Sequence, residues 1–265
     1  MKRLHFIRCL TILSLSFAIN VESQNVSHSV IINFNRIVRY IENDSIAKLA
    51  NLISYPLIRE NPLPDITSAE VFVKYYPILF DKAFKEKLKY FNDSDIFEHH
   101  GAYGIDGDNK LPNGDRFDGD IWIDDSGKIV RINYSSEKEQ ALSQKITRKI
   151  KSEIYPSVND WETNIEVLES EKYLIRIDRI SKGIRYVSWG KGKKISDAPD
   201  LVLYDGIEEA QGTQGGWTWT FKSGNWQYVI EDNEMCEDEK DCGFFLVVMQ
   251  NGTEKSRMKC KELKQ

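Results

Sequence analysis

Apolar side chains recur at Phe34, Ile37, Val38 and Ile41, a spacing that places all four on one side of a helix. Asn43-Asp44-Ser45 interrupts the pattern and Ile46, Leu49 and Ile53 resume it, which predicts helix, break, helix. After Tyr55-Pro56 and the turn-rich Asn61-Pro62-Leu63-Pro64-Asp65, Thr67 and Glu70 have the spacing of a capping box. They precede a helix whose Phe72, Tyr75, Tyr76, Leu79 and Phe80 share one face. The period then shortens. Ile121-Trp122-Ile123 and Ile129-Val130-Arg131-Ile132 flank Asp125-Ser126-Gly127, the composition of a hairpin. Residues 136–154 return to charged helix formers with a narrow apolar stripe of Leu142, Ile146 and Ile150.

Beyond that helix the chain is a series of short β runs, at 173–180, 184–189, 201–204, 217–221, 226–231, 244–249 and 256–263. Such a series predicts an all-β sandwich or small barrel. The fold class expected is therefore α+β: an α+β domain over residues 24–135, a connecting helix over 136–158 and an all-β domain over 159–265. Trp217, Trp219 and Phe221 share one side of a strand, and a turn at Ser223-Gly224 would set them against Ile230, Tyr228 and Trp226. Turned outward this stripe could stack on sugar rings. The polar Thr218, Thr220, Lys222 and Gln227 on the opposite face favour burial instead.

The amino terminus adds a location. Lys2, Arg3 and Arg8 precede an apolar run at 10–19, and Val21 and Ser23 are small enough for a signal-peptidase site, so residues 1–23 read as a cleaved secretory signal. The mature chain should then carry no integral membrane segment and be periplasmic or secreted. Its cysteines are Cys236, Cys242 and Cys260. In an oxidising compartment these are structural, with Cys236–Cys242 favoured over a Cys242–Cys260 pair across the Asn251-Gly252 hairpin.

Composition narrows the classes. The 265 residues carry 36 Lys+Arg against 41 Asp+Glu, a net charge of −5 that argues against affinity by phosphate neutralisation and so against nucleic acid as a partner. Loss of residues 1–23 takes it to −7.

Several groups could carry chemistry. Asp106, Asp108 and Asp115 belong to an oxygen-rich loop that suits Ca²⁺ by ligand type, but Lys110, Leu111 and Phe117 stand where an EF-hand needs an oxygen, a glycine and a glutamate. A solvated acidic turn is the better reading, and no metal or other cofactor is assigned. Arg185, Trp189, Lys191, Lys193 and Lys194 form a candidate surface for an anionic partner, without a phosphate-loop pattern. His99-His100 lacks an accompanying nucleophile pattern, so no catalytic residue is assigned.

Ile53-Ser54-Tyr55-Pro56-Leu57, Tyr75-Tyr76, Ile78-Leu79-Phe80 and Ile121-Trp122-Ile123 resemble the amino-terminal part of uncharacterised exported Gram-negative proteins with a cystatin-like, nuclear-transport-factor-2-like shape. Likewise 175–180, Ile184-Arg185-Tyr186-Val187-Ser188-Trp189, Pro199-Asp200-Leu201-Val202-Leu203 and Cys242-Gly243 resemble the small carboxy-terminal β domain of such proteins. The resemblance implies a periplasmic protein and supplies no activity. The expected function is a non-enzymatic binding protein of inhibitor or immunity type, with a protein partner. One alternative is an enzyme or small-ligand receptor whose pocket is lined by Tyr55, Tyr75, Tyr76 and His100. The other is a cell-wall glycan binder using the aromatic stripe.

Overall fold

The computed structural model describes residues 26–107, 111–112, 114–212 and 215–264. The proposed signal, residues 1–23, and Asp108 of the acidic loop lie outside them. The first helix, α1 (His28–Glu42), is capped by Ser27, whose side chain accepts from the Val30 N–H, and it buries Val30, Phe34, Ile37, Val38 and Ile41. Asp44 takes a left-handed conformation at the predicted break, and α2 (Ile46–Ala50) follows. In α3 (Ala69–Leu79) the cap is Ser68, which accepts from the Val71 N–H, so the helix start lies one residue past the predicted Thr67 box. Asp81 caps α4 (Lys82–Leu88).

These helices pack on a four-stranded antiparallel meander, β1 (Ile96–His99), β2 (Ala102–Asp106), β3 (Asp118–Asp124) and β4 (Ile129–Ile132). The β3–β4 hairpin was predicted; β1 and β2 were not. Gly104 on β2 is required by packing, because a Cβ there would lie 2.7 Å from the Phe97 ring and 3.1 Å from that of Trp122.

α5 (Glu137–Glu153), capped by Ser136, leads to the second unit. Its strands are β5 (Thr163–Glu169), β6 (Tyr173–Ile180), β7 (Gly183–Gly190), β8 (Leu201–Leu203), β9 (Ile207–Ala210), β10 (Trp217–Ser223), β11 (Trp226–Asn233), β12 (Gly243–Gln250) and β13 (Thr253–Glu262). They form one antiparallel sheet in the order β8-β7-β6-β5-β13-β12-β11-β10-β9. Strands β8 and β9 occupy the two ends of that order yet are consecutive in the chain, joined by Tyr204, Asp205 and Gly206. Three residues reach at most about 14 Å between the flanking strands. The sheet therefore curls until β8 lies against β10. This is a single curled sheet, not a two-sheet sandwich.

Leu168, Ile177, Tyr186, Trp219, Phe221, Ile230 and Leu246 fill its inner side. On the outer side of β6 and β7, a further cluster joins Ile150 and Ile154 of the α5 end to Val158, Trp161, Val187 and Trp189. Strand β7 is thus buried on both faces.

The aromatic stripe is mostly core, in a shifted register. The turn is Gly224-Asn225, so Phe221 faces Tyr228 and Trp219 faces Ile230, two residues from the expected pairing. Trp219 and Phe221 are buried, whereas Trp217 and Trp226 stay 44% and 36% exposed. Cys236 and Cys242 lie at disulfide distance with Cα atoms 5.5 Å apart. Cys260 faces Phe244 across β12 and β13 and is buried as a free thiol, which removes the rival pairing. Among the described residues no helix is long and apolar enough to cross a membrane.

Trp219 supplies both ring burial and an Nε1–H donated to Glu208 at 2.9 Å. Trp219→Ala should lower unfolding free energy by ~3–5 kcal/mol, read from urea denaturation.

Candidate functional site

Segment 57–66 is an extended loop closed on itself, with Leu57 N–H donating to Ile66 O at 2.9 Å and Ile66 N–H to Leu57 O at 3.0 Å. From it Arg59 turns inward. Its Nε donates to Glu139 Oε1 at 2.9 Å and its Nη2 to Glu139 Oε2 at 2.6 Å, a two-point clamp on a carboxylate that is fully buried at the start of α5. The remaining donors reach Ile132 O and, at 3.1 Å, Tyr134 O. Tyr75 completes the cluster with a hydroxyl donated to Glu139 Oε1 at 3.1 Å, and burial, then Glu139, push its phenol well above the usual range. From the other unit, Lys264 donates to Arg59 O at 2.7 Å and pairs with Asp65.

Three cavities surround this loop. One, about 210 Å³, lies between Asn61-Pro62, the α5 residues Ser143 and Thr147, and Trp161 to Asn164. A second, about 320 Å³, is bordered by Arg59, Asn61, Asp65, Glu262 and Lys264. The third, about 470 Å³, runs between Ile58 to Glu60 and the β4 edge. The loop is thus the meeting point of the two units, with concave surface on several sides of it.

Next to it the curled sheet gathers carboxylates. Glu166 shares the inner face of β5 with Leu168. Burial pushes its carboxyl up to about 8, with Glu262 and Asp232 adding to the effect. Asp232 is also raised, by burial and then by Glu234 and Glu262. Nearby on the sheet, Arg179 pairs with Glu208 at 2.9 Å. The chemical capacity of this end is to hold a proton near neutral pH and to attract cations.

The predicted site residues are not brought together. Tyr55 donates to Ala50 O at 3.0 Å and Tyr76 to Ile41 O at 3.0 Å, both inside the helical unit. Tyr75 belongs to the Arg59 cluster. His100 is exposed at the β1–β2 turn in a left-handed conformation, its ring 4.2 Å from that of His99. None of the four lines the cavities above.

The proposed cationic surface is corrected in the same way. Arg185 and Trp189 are buried, because the outer face of β7 is covered by the α5 end and the segment after it. Arg185 binds Val158 O at 2.7 Å, Asp178 at 3.3 Å and Asp160 at 2.5 Å, and Trp189 Nε1 donates to Asp197 O at 2.8 Å. Lys191, Lys193 and Lys194 are exposed on the β7–β8 loop, with Lys193 paired to Asp200. Asp106 is exposed, and Asp115 lies 3.7 Å from Lys87.

Sequence reasoning missed Arg59, Asn61, Glu139, Trp161, Asn164, Glu166 and Glu262. One local signal existed: Ser136 and Glu139 have capping-box spacing, and the Ser136 side chain does accept from the Glu139 N–H. Comparison with family models, curated proteins and solved structures finds no match.

Truncating Arg59 would strand a buried carboxylate, so Arg59→Ala should cost ~3–5 kcal/mol in denaturant unfolding. Glu166 yields a pH test. Its raised carboxyl stabilises the fold when protonated, so that contribution is complete below the ordinary glutamate range and is lost as pH climbs through about 8. Thermal midpoints should fall across this window, and Glu166→Gln should flatten the decline.

Proposed function

We propose that this chain is a non-enzymatic, exported binding protein of the periplasm or cell exterior, of inhibitor or immunity type, with another protein as its target. The observation that carries the reading is the filled interior of the helical unit. A receptor or enzyme using a cystatin-like cone needs a hollow between helices and sheet. Here that space holds a run of rings: Tyr76 to Phe80 at 5.2 Å, Phe80 to Phe84 at 5.5 Å and Phe84 to Tyr134 at 4.1 Å between centroids. The tyrosine hydroxyls that would have lined a pocket are donated to acceptors within the protein.

The cystatin-like outline belongs to this proposal. Support for it is the set of helices packed on a four-stranded meander. Export is supported by the Cys236–Cys242 pair, which suits an oxidising compartment. The net charge of −5 suits a basic partner, for which complementary charge raises the encounter rate.

The mature chain, immobilised and exposed to exported proteins at low salt, should retain a basic protein that is released as salt rises. Retention of no protein, or turnover of a small substrate by the purified chain, would overturn the reading.

A further inference from the structure

Strand β13 lies between β12 and β5 in the curled sheet, but its two flanks are not equally used. Against β12 it is paired along its length, from Thr253 opposite Gln250 to Cys260 opposite Phe244. Against β5 it is paired only at Lys261 and Glu262, opposite Glu169 and Leu168, because β5 ends at Glu169 and the chain turns at 170–172 into β6. Residues 253–260 therefore run past that turn with a ladder on one side only, an open edge about 27 Å long. The Leu263 N–H donates to Val167 O at 2.7 Å. By the alternation of an antiparallel strand, the N–H and C=O of Lys259 and Arg257 point the same way, and no backbone partner meets them among the described residues.

The side chains along this edge select what can join it. Lys255, Arg257, Lys259 and Lys261 are exposed, while Met258 and Cys260 between them are buried. The alternation puts Arg257, Lys259 and Lys261 on the outer side of the curl, about 7 Å apart. The Phe245 ring holds the first two there, its centroid 4.7 Å from the Arg257 guanidinium and 5.7 Å from Lys259 Nζ. Arg257 is paired with Glu231 at 2.6 Å, and Lys259 donates to Lys240 O at 3.1 Å. Lys255, Lys259 and Lys261 have no carboxylate partner among the described residues. Two such edges laid side by side would set cation against cation, so the pattern opposes pairing with a second copy and favours a strand that carries carboxylates.

We propose that the open edge of β13 takes up an extended segment of a partner protein as an added strand, one that alternates acidic with small or apolar residues. Its backbone completes the ladder at Arg257 and Lys259. Its carboxylates lie on the outer side beside Arg257, Lys259 and Lys261, and its intervening side chains meet the rim of the core at Met258 and Cys260. This contact differs in place and in sign of charge from the capture of a basic protein proposed above, and it stands without it.

The test is titration of the ¹⁵N-labelled full chain, at low salt, with a short end-blocked peptide of alternating glutamate and valine. The amide signals of Arg257 and Lys259 should move saturably and their hydrogen exchange should slow, while those of Met258 and Cys260, already in the β12 ladder, change little. The same peptide with its backbone nitrogens methylated keeps its charge, cannot donate, and should not bind. Lys259→Glu, a change to an exposed side chain, should weaken the acidic peptide about tenfold. Lys255→Glu, near the hairpin tip, should weaken it in the same direction and covers the case in which Lys259→Glu does not fold. No slowing at Arg257 and Lys259, equal binding of the methylated peptide, affinity unaltered by either substitution, or equal slowing with inorganic polyphosphate, the mark of a general anion surface, would overturn the assignment.

Discussion

A guanidinium can be buried when its donors all find acceptors, and the position of Arg59 sets where those acceptors must be. Glu139 comes from α5, Ile132 and Tyr134 from the end of β4 and the residues after it, and Tyr75 joins through the same carboxylate. The start of α5 is therefore fastened to the helical unit by charge and geometry together. Its other end carries Ile150 and Ile154 onto the outer face of β6 and β7. One helix thus transmits the placement of the first unit to the second, and Lys264 closes the circuit by returning to the backbone of Arg59. The three cavities follow from this arrangement, because two units fastened around a closed loop do not fill the space beside it.

The second constraint is the curl of the sheet. With β8 and β9 joined by three residues, the chain has no choice but to bring its two ends together. Gly206 is needed at that joint, since a Cβ there would stand 2.3 Å from the Phe221 ring, and its N–H is bound by Ile184 O at 3.0 Å. Curling puts Trp219 and Phe221 on the inside, where aromatic volume is useful. It leaves carboxylates such as Glu166 crowded with Glu262 and Asp232 on the same inner side. The outer face of β6 and β7 carries the opposite problem, buried charge under a helix. There Asp178 serves both Arg176, at 2.8 Å, and Arg185, at 3.3 Å.

These constraints divide the molecule by function. The helical unit is closed, its aromatic rings packed on one another and its hydroxyls spent internally. The β unit gathers Glu166, Asp232 and Glu262 at one end of its inner side, where burial and crowding favour the protonated form of Glu166. Between them the junction keeps a concave, partly polar surface around the loop of residues 57–66.

Local pattern carried a large part of the fold. The period of Phe34 to Ile41, the break at Asn43-Asp44-Ser45, the hairpin about Asp125-Ser126-Gly127 and β6 over Tyr173–Ile180 are all dictated by neighbours within a few residues. Strands β1 and β2 escaped because they are short and Gly104 interrupts their alternation for the sake of Phe97 and Trp122. The burial of Arg185 and Trp189 was equally illegible: a β strand with polar and apolar residues on both faces reads as exposed until a distant helix covers it. The candidate site was hidden for the same reason, since Arg59 and Glu139 are 80 residues apart and Trp161 faces Asn61 across the joint. The sequence by itself determined the elements with a clear period, such as α1, α3, β6 and the β3–β4 hairpin, because that periodicity is a local property; strands β1, β2, β5 and β9 lacked it. Only the tertiary structure decided which charges are buried and which donors are left unmet, because burial depends on what arrives from elsewhere in the chain.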